Sequence, residues 1–202
     1  MIKGITFDLD GVYFINGKSN FIAALGKLGV SEDVAKSVFL KSHEMNQLYK
    51  NGTMTDEQFW SWAADQWHLT KSPQELVDLL IAGYETNPPV LDVLRRVKKN
   101  GYKILACTNN FPARINGLHK RFKFLDDFDA AVFSYAVGAS KPDKKIFQEL
   151  ITKSGLKGEE IVFADDNNDN LAGAREVGIK TFFYEGFDKF MADLKAAGVK
   201  VD

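Results

Sequence analysis

The chain has 202 residues, 45% of them hydrophobic, with 26 Lys+Arg against 27 Asp+Glu and a net charge of −1. That composition can form a full core, which argues against wholesale disorder, and the length suits one domain or one domain with a sizeable insertion. The near-neutral balance leaves no broad basic excess for non-specific nucleic-acid binding, and a single cysteine, Cys107, excludes an internal disulfide framework.

The N-terminus reads MIKGITFDLDGVYF. Aspartates interrupt its apolar run at once, so it lacks a signal-peptide layout. No stretch approaches the roughly 18 apolar residues of a membrane helix. The expectation is a soluble cytoplasmic protein, with no membrane and no nucleic acid among its partners. Residues 2–8 read as a short buried strand, which runs into Asp8, Leu9 and Asp10 and breaks at Gly11. Carboxylates disfavour strands and are costly to bury unpaired. The two aspartates therefore lie in a solvated turn or are gathered for a task.

Residues 19–84 look helical throughout. SNFIAALGKLG offers Ser19 as a cap and stops near Gly29, and SEDVAKSVFLKSHEMNQLYKNG runs from Ser31 to Asn51-Gly52. TDEQFWSWAADQW begins with Thr55, and SPQELVDLLIAGY with Ser72 followed by Pro73 at the first helical position. Helices in a row with no strand pattern between them predict an inserted four-helix cap over residues 16–85.

After NPP the rhythm changes to alternating helices and strands. VLDVLRRVKKNG is a helix, YKILACT a strand, PARINGLHKRF a helix and DAAVFS a strand. PDKKIFQELITKSG, NDNLAGAREVG and FDKFMADLKAAG read as helices, and EIVFAD and IKTFFY as strands. The fold class is therefore α/β, a Rossmann-like parallel sheet core built from residues 1–15 and 86–202. Right-handed crossovers bring the C-terminal ends of such strands to one edge, where ligands bind.

The polar residues gather at that edge. The first strand ends in Asp8 and Asp10, the next in Thr108, Asn109 and Asn110, and the strand IVFAD in Asp165 and Asp166. GASKPD sets Lys141 at the mouth of a helix. Crowded carboxylates repel one another, and a hard divalent cation with oxygen ligands relieves this, with magnesium the expected metal. An ionised aspartate needs no base to act as a nucleophile, but it is repelled by a phosphate. One pair of unit charges at about 4 Å repels by about 4 kcal/mol at an effective dielectric near 20. A metal, a lysine and a hydroxyl on the phosphate oxygens reverse that sign. A second aspartate crowded by other acids would have a raised pKa and could donate and recover a proton.

DLDGV (8–12), Thr108-Asn109 after a strand, SKPDKKIF (140–147) and VFADDNNDN (162–170) stand in the order of the four motifs of the haloacid dehalogenase superfamily. The chain resembles its magnesium-dependent phosphatases, and the helical insertion resembles the cap of the cap-bearing subgroup. The resemblance implies that Asp8 is the nucleophile and forms an aspartyl-phosphate. Asp10 would be the general acid/base, with its backbone carbonyl on the metal. Thr108, the Asn109 backbone and Lys141 would hold the phosphate, with Lys141 also restraining Asp8. Asp166 would be a direct metal ligand, Asp165 a direct or indirect one, and Asn170 a supporting hydrogen bonder. The implied activity is a phosphomonoesterase acting on a small phosphorylated metabolite, with phosphorylated sugars the first guess.

A phosphomutase or a phosphonatase on the same scaffold is the nearest alternative. A phosphonatase needs a cap lysine, and Lys18, Lys27, Lys36, Lys41 and Lys50 are all available. A dehalogenase needs no metal and lacks an acid two residues after its nucleophile. A receiver domain has no long helical insertion after its first strand. Each residue also has a plainer reading: Asp165 and Asp166 could cap a helix, Thr108 and Asn109 could end a strand, and Lys141 could be a surface lysine. His43, His68 and His119 have no ligand spacing. Cys107 reads as a small core residue, Trp60 and Trp67 as cap core, and RRVKK (95–99) as a solvated face.

Overall fold

A computed structural model describes the whole chain, Met1–Asp202. Its strands are β1 (Gly4–Phe7), the two-residue β2 (Phe14–Ile15) and β3 (Glu85–Thr86), β4 (Lys103–Thr108), β5 (Ala130–Phe133), β6 (Ile161–Asp165) and β7 (Lys180–Phe183). The main sheet has the order β5-β4-β1-β6-β7, and every pairing in it is parallel. β1 is central: Gly4 to Phe7 pair with Lys103 to Ala106 on one side and with Ile161 to Ala164 on the other. β2 and β3 form a small antiparallel ribbon beside it.

The α-helices are α1 (Gly17–Lys27), α2 (Glu32–Lys36), α3 (Asp56–Gln66), α4 (Pro73–Ala82), α5 (Pro88–Lys99), α6 (Pro112–Phe122), α7 (Ser134–Val137), α8 (Lys144–Ser154), α9 (Leu171–Glu176) and α10 (Phe187–Ala196). The two-residue period of the strands divides the core. Leu105 and Cys107 of β4 join Ile146, Phe147 and Leu150 of α8 on one face. Ile104 and Ala106 join Val90, Val93 and Val97 of α5 on the other, together with Phe190 and Leu194 of α10. Cys107 is fully buried, and burial pushes its thiol up to about 12, so it is an inert core residue. No helix is long and apolar enough to cross a membrane.

The stretch between β2 and β3 is helical, as expected, with two differences. α1 starts at Gly17 rather than after Ser19, because Asn16 turns into the left-handed region (φ 64°) and the Ser19 hydroxyl donates to its carbonyl. The single helix expected after Ser31 is broken. α2 runs into a π-helical turn over Ser37–Lys41, Ser42 is extended (φ −63°, ψ 152°), and a second π-helical turn covers Glu44–Tyr49. Ser42 Oγ donates to the Val38 carbonyl (2.6 Å) and accepts from the Met45 amide (3.1 Å), while Asn46 Nδ2 donates to the Leu40 carbonyl. These short polar side chains offer the backbone partners other than the next helical turn, and the helix stops. α3 and α4 start where the sequence says, each with a reciprocal cap, Thr55 with Gln58 and Ser72 with Glu75.

The helical segment shares one hydrophobic core with the sheet face that carries Ile104 and Ala106. Phe111, at the start of α6, stacks on Tyr49 with ring centroids 4.5 Å apart, and its ring also meets Trp60 and Phe39. Trp60 and Trp67 are buried there, as expected of core residues. Trp60 Nε1 donates to Tyr49 Oη, Tyr49 donates to Asp56, and Asp56 accepts from the Ala113 amide at the first turn of α6. A polar thread thus satisfies the groups that this aromatic contact buries.

Gly173 lies in α9, where a β-carbon would come 1.8 Å from the Pro142 carbonyl oxygen and 3.2 Å from the Lys144 amide. Alanine is the better helix former by about 1 kcal/mol, but backbone overlap of this kind costs about 1–3 kcal/mol or more. Gly173→Ala is therefore expected to lower stability by up to about 2 kcal/mol net, read as a lower urea midpoint at unchanged slope. An unchanged or raised midpoint would show that α9 can move away from Pro142 freely.

Candidate active site

The strand ends converge as the alternating pattern requires. Asp8, just beyond β1, Thr108 at the end of β4, Asp165 at the end of β6, and Lys141 are all buried. Lys141 Nζ donates to Asp8 Oδ1 (2.9 Å), to Asp165 Oδ2 (2.5 Å) and to the Cys107 carbonyl (3.0 Å). Burial would discharge this ammonium, but Asp8 and Asp165 outweigh it and hold the pKa above its ordinary value. Burial pushes Asp8 up to about 6, with Asp165 adding to the rise and Lys141 opposing it.

Asn109 and Asn170 fix this centre. The Asn109 side chain accepts from the Lys141 amide (2.7 Å) and donates to the Lys141 carbonyl (3.0 Å), pinning that backbone to the end of β4. Asn170 Nδ2 donates to both oxygens of Asp165, at 3.0 and 3.1 Å, and Asp165 Oδ1 also accepts from the Asn167 amide (2.8 Å). Both Asp165 oxygens are thus committed to protein donors. Asp166 makes no comparable bonds. Its carboxylate lies over Gly11, where φ is 84° and a β-carbon would come 2.3 Å from Oδ2. Burial and the neighbouring Asp165 raise its pKa.

Carboxylate oxygens of Asp8, Asp165 and Asp166 lie within 4.8 Å of one another, a spacing that suits a hard cation. Asp166, with its carboxylate uncommitted, and the second oxygen of Asp8 can hold such an ion. Asp165 is better placed to hold Lys141. A polar cavity of about 480 Å³ opens onto these groups. Apart from Pro142 its lining is polar or charged, and it includes Asp8, Asp10, Asn109, Lys141, Asp166 and Asn170. Thr108 is buried and does not line this cavity, and its Oγ1 accepts from Asn110 Nδ2 at 3.3 Å. The residues singled out in the sequence are therefore neighbours. His43, His68 and His119 are not part of this cluster.

Asp10 corrects one expectation. Acidic crowding was expected to raise its pKa. Burial does push it up, but the Arg114 guanidinium and the Lys18 ammonium outweigh burial and hold it at about 2. Asp10 Oδ2 accepts from Arg114 Nη1 and lies against Lys18 Nζ, both at 2.8 Å. Arg114 was missed because it stands on the apolar stripe of α6, one turn before Leu118. The only signal was a charged residue at a position where an apolar one was due. Two residues brought in by the π-helical turns were also missed: Asn46 and Gln47 line the cavity beside Lys50. Burial, with repulsion from Arg114 and Lys18, lowers Lys50 to about 7.

The model of the haloacid dehalogenase-like hydrolases matches residues 2–178, and the chain belongs to that family. Its relatives include phosphatases. A D-ribitol-5-phosphate phosphatase of Bacteroides thetaiotaomicron is 26% identical, covering 90% of this chain and 91% of its own. A glyceraldehyde 3-phosphate phosphatase of Methanopyrus kandleri is 24% identical, covering 90% and 83%. Among solved structures, a family enzyme of Bacteroides thetaiotaomicron in complex with magnesium and inorganic phosphate superposes with a TM-score of 0.77 at 22% identity, over 92% of this chain and 95% of that one. The L-2-haloacid dehalogenase of Xanthobacter autotrophicus superposes at 0.69 and 19% identity, over 100% and 85%. At these identities the structural likeness speaks for the fold alone.

The charge cluster sets a pH dependence of stability that a bound cation would modify. Asp8 is raised from 3.8 to about 6 on folding, so the native state binds the extra proton between those values. Stability without metal therefore falls as pH rises through that window. Asp10 acts in the opposite sense, but its window, from 3.8 down to about 2, lies below. Magnesium should offset the loss at neutral pH, adding about 2.7 kcal/mol at a hundred times its Kd, and less near pH 4, where the proton competes. Melting curves at both pH values, with and without magnesium, check this. Asp166→Asn should abolish the magnesium increment, and its persistence would place the ion elsewhere.

Proposed function

We propose that the chain is a magnesium-dependent phosphomonoesterase for small, hydroxyl-rich phosphate esters, working through an aspartyl-phosphate on Asp8. The observation that carries this reading is the Asp8 carboxylate, held on one side by the buried Lys141 and flanked on the other by the uncommitted carboxylate of Asp166. Residues 16–85 would serve as the cap over a core of residues 1–15 and 86–202. Asp8, Asp166 and the Asp10 carbonyl would hold magnesium, with Asp165 acting through Lys141. The ion would neutralise negative charge shared by the attacking carboxylate and the phosphate.

An Asp8 oxygen attacks phosphorus while the bond to the leaving oxygen breaks. Lys141, the Thr108 hydroxyl and the Asn109 amide hold the phosphate oxygens. Asp10 gives its proton to the departing alkoxide. It then takes a proton from the water that cleaves the aspartyl-phosphate, which releases inorganic phosphate and restores both aspartates. In the free protein Lys18 and Arg114 keep Asp10 ionised. A bound phosphate dianion repels that charge and draws Lys18 towards itself, which favours the protonated acid.

The cavity supports the substrate class. Its polar lining offers little to an aromatic or alkyl leaving group, and its volume suits a phosphate with a short hydroxylated chain. Two relatives are phosphatases of such esters. Asp10, two residues after the nucleophile, and the uncommitted Asp166 favour phosphoester chemistry over dehalogenation. One observation favours a second reading, a phosphonatase: Lys50, near neutrality, lines the cavity without a carboxylate partner. A neutral amine can form an imine with a substrate aldehyde.

A screen of phosphorylated metabolites, with and without magnesium, on the wild type and Asp8→Asn decides between these readings. The expected outcome is metal-dependent release of phosphate from polyol and sugar phosphates. Asp8→Asn should lose about 10⁴-fold or more while folding normally, as expected when a nucleophile is removed. Turnover by Asp8→Asn, or turnover without metal, would overturn the phosphatase reading. Borohydride trapping of phosphonoacetaldehyde on Lys50 would replace it with the phosphonatase.

A further inference from the structure

We propose that Arg114 is a positioning residue, which fixes the reacting face of the Asp10 carboxylate and ties it to the base of the helical insertion through Tyr84. The proposal rests on Asp10 being the proton donor and acceptor, and it adds a residue that the motifs of the family do not contain.

The geometry is specific. Arg114 is 2% exposed and comes from α6, yet its guanidinium reaches the loop after β1. Nη1 donates to Asp10 Oδ2 (2.8 Å) and to Tyr84 Oη (2.9 Å), and Nε donates to Asn110 Oδ1 (2.6 Å). Nη2 reaches the Asn109 carbonyl at 3.4 Å, and the guanidinium carbon lies 4.8 Å from the Phe111 ring centroid. A planar fork held by four partners and an aromatic ring has one orientation. Both cationic contacts of Asp10, Arg114 and Lys18, fall on Oδ2. Oδ1 takes neither, and it is the oxygen free to carry the transferred proton. Lys18 is 46% exposed, whereas Arg114 is enclosed by its partners, so Arg114 is the fixed reference.

Tyr84 extends the reach of this contact. It lies between α4 and β3, on the return from the helical insertion, and its ring is packed against Gly17 at the start of α1. A β-carbon on Gly17 would come 2.3 Å from the Tyr84 ring. Arg114 therefore touches the acid, the loop after β4 and the return connection of the insertion, and Tyr84 carries the contact on to the entry at Gly17. Stability alone accounts poorly for such a residue. A buried ion pair often contributes no more than a well-packed apolar side chain, whereas a carboxylate that must transfer a proton has to be aimed.

The leaving group separates positioning from scaffolding. The acetate of acetyl phosphate departs without taking a proton, whereas the alkoxide of ribitol 5-phosphate needs one. Single-turnover formation of the phosphoenzyme would be measured with both esters in the wild type, Arg114→Met, Arg114→Lys, Tyr84→Phe and Asp10→Asn, alongside melting temperatures. Arg114→Met is expected to slow phosphorylation by ribitol 5-phosphate about 100-fold, with apparent affinity within about threefold, and by acetyl phosphate less than about threefold. Arg114→Lys and Tyr84→Phe should fold normally and show smaller losses with the same selectivity, and they carry the comparison if Arg114→Met unfolds. Equal losses on both esters in a folded variant, or no loss on ribitol 5-phosphate, would overturn the proposal. Asp10→Asn without ester selectivity would overturn the role of Asp10 whatever Arg114 does, and a wild type that forms no phosphoenzyme would remove both readings.

Discussion

The molecule is organised around one buried ammonium. Lys141 sits between Asp8 and Asp165 with almost no exposure to water, and its third donor meets the Cys107 carbonyl. Burying a charge costs several kcal/mol unless partners replace its water, and here every ammonium proton has one. With two carboxylates to one ammonium, Lys141 stays paired with Asp165 when the charge of Asp8 is lost, whereas removing Lys141 would leave two buried carboxylates uncompensated. The neighbouring order follows from this constraint. Asn109 clamps the Lys141 backbone, Asn170 and the Asn167 amide saturate Asp165, and Gly173 lets α9 approach the chain beside Lys141. The same arrangement leaves the Asp166 carboxylate uncommitted, so the division of labour between two adjacent aspartates is set by which one faces the lysine.

The helical insertion supplies what the sheet edge lacks. Stacking of Phe111 on Tyr49 and burial of Trp60 join it to the core, and the Ser134 hydroxyl, which donates to the Lys50 carbonyl, holds the adjoining loop. The break at Ser42 has a use in this setting. A regular helix would carry its polar residues on a solvated face, whereas the two π-helical turns bring Asn46, Gln47 and Lys50 to the cavity wall. The result is a chamber whose floor belongs to the sheet and whose roof is amide and ammonium.

Much of this was legible in the sequence. Three strands that end in acids, a hydroxyl and asparagines, together with Lys141 at a helix mouth, announce a parallel sheet with its polar residues on one edge. β1, β4 and β6 form that sheet, and Asp8, Asn109, Lys141, Asp165, Asp166 and Asn170 do meet, with Thr108 buried just before Asn109. The state of Asp10 was not legible, because its partners Arg114 and Lys18 lie on other elements. Arg114 is 104 residues away in the chain and stands on a stripe that reads as apolar. Ser42 was equally hidden. Its hydroxyl looks neutral in a helical pattern, and only the competition between its local bonds and the helical ladder decides the outcome. Local periodicity reports which face of an element is buried. It does not report which distant side chain a buried charge has chosen.

The position of β1 has a consequence for how the chain acquires its shape. Gly4–Phe7 are made well before either of their neighbours, which come from residues 103–106 and 161–164. The innermost strand has no place to dock until residues 103–106 exist and is not flanked on both sides until residues 161–164 do, and pairings that span such long loops are slow to form. The acid at its tip must wait for its lysine in the same way. The sheet therefore closes late, and until then its central apolar strand is an exposed segment of the growing chain, with the helical insertion as the part made next.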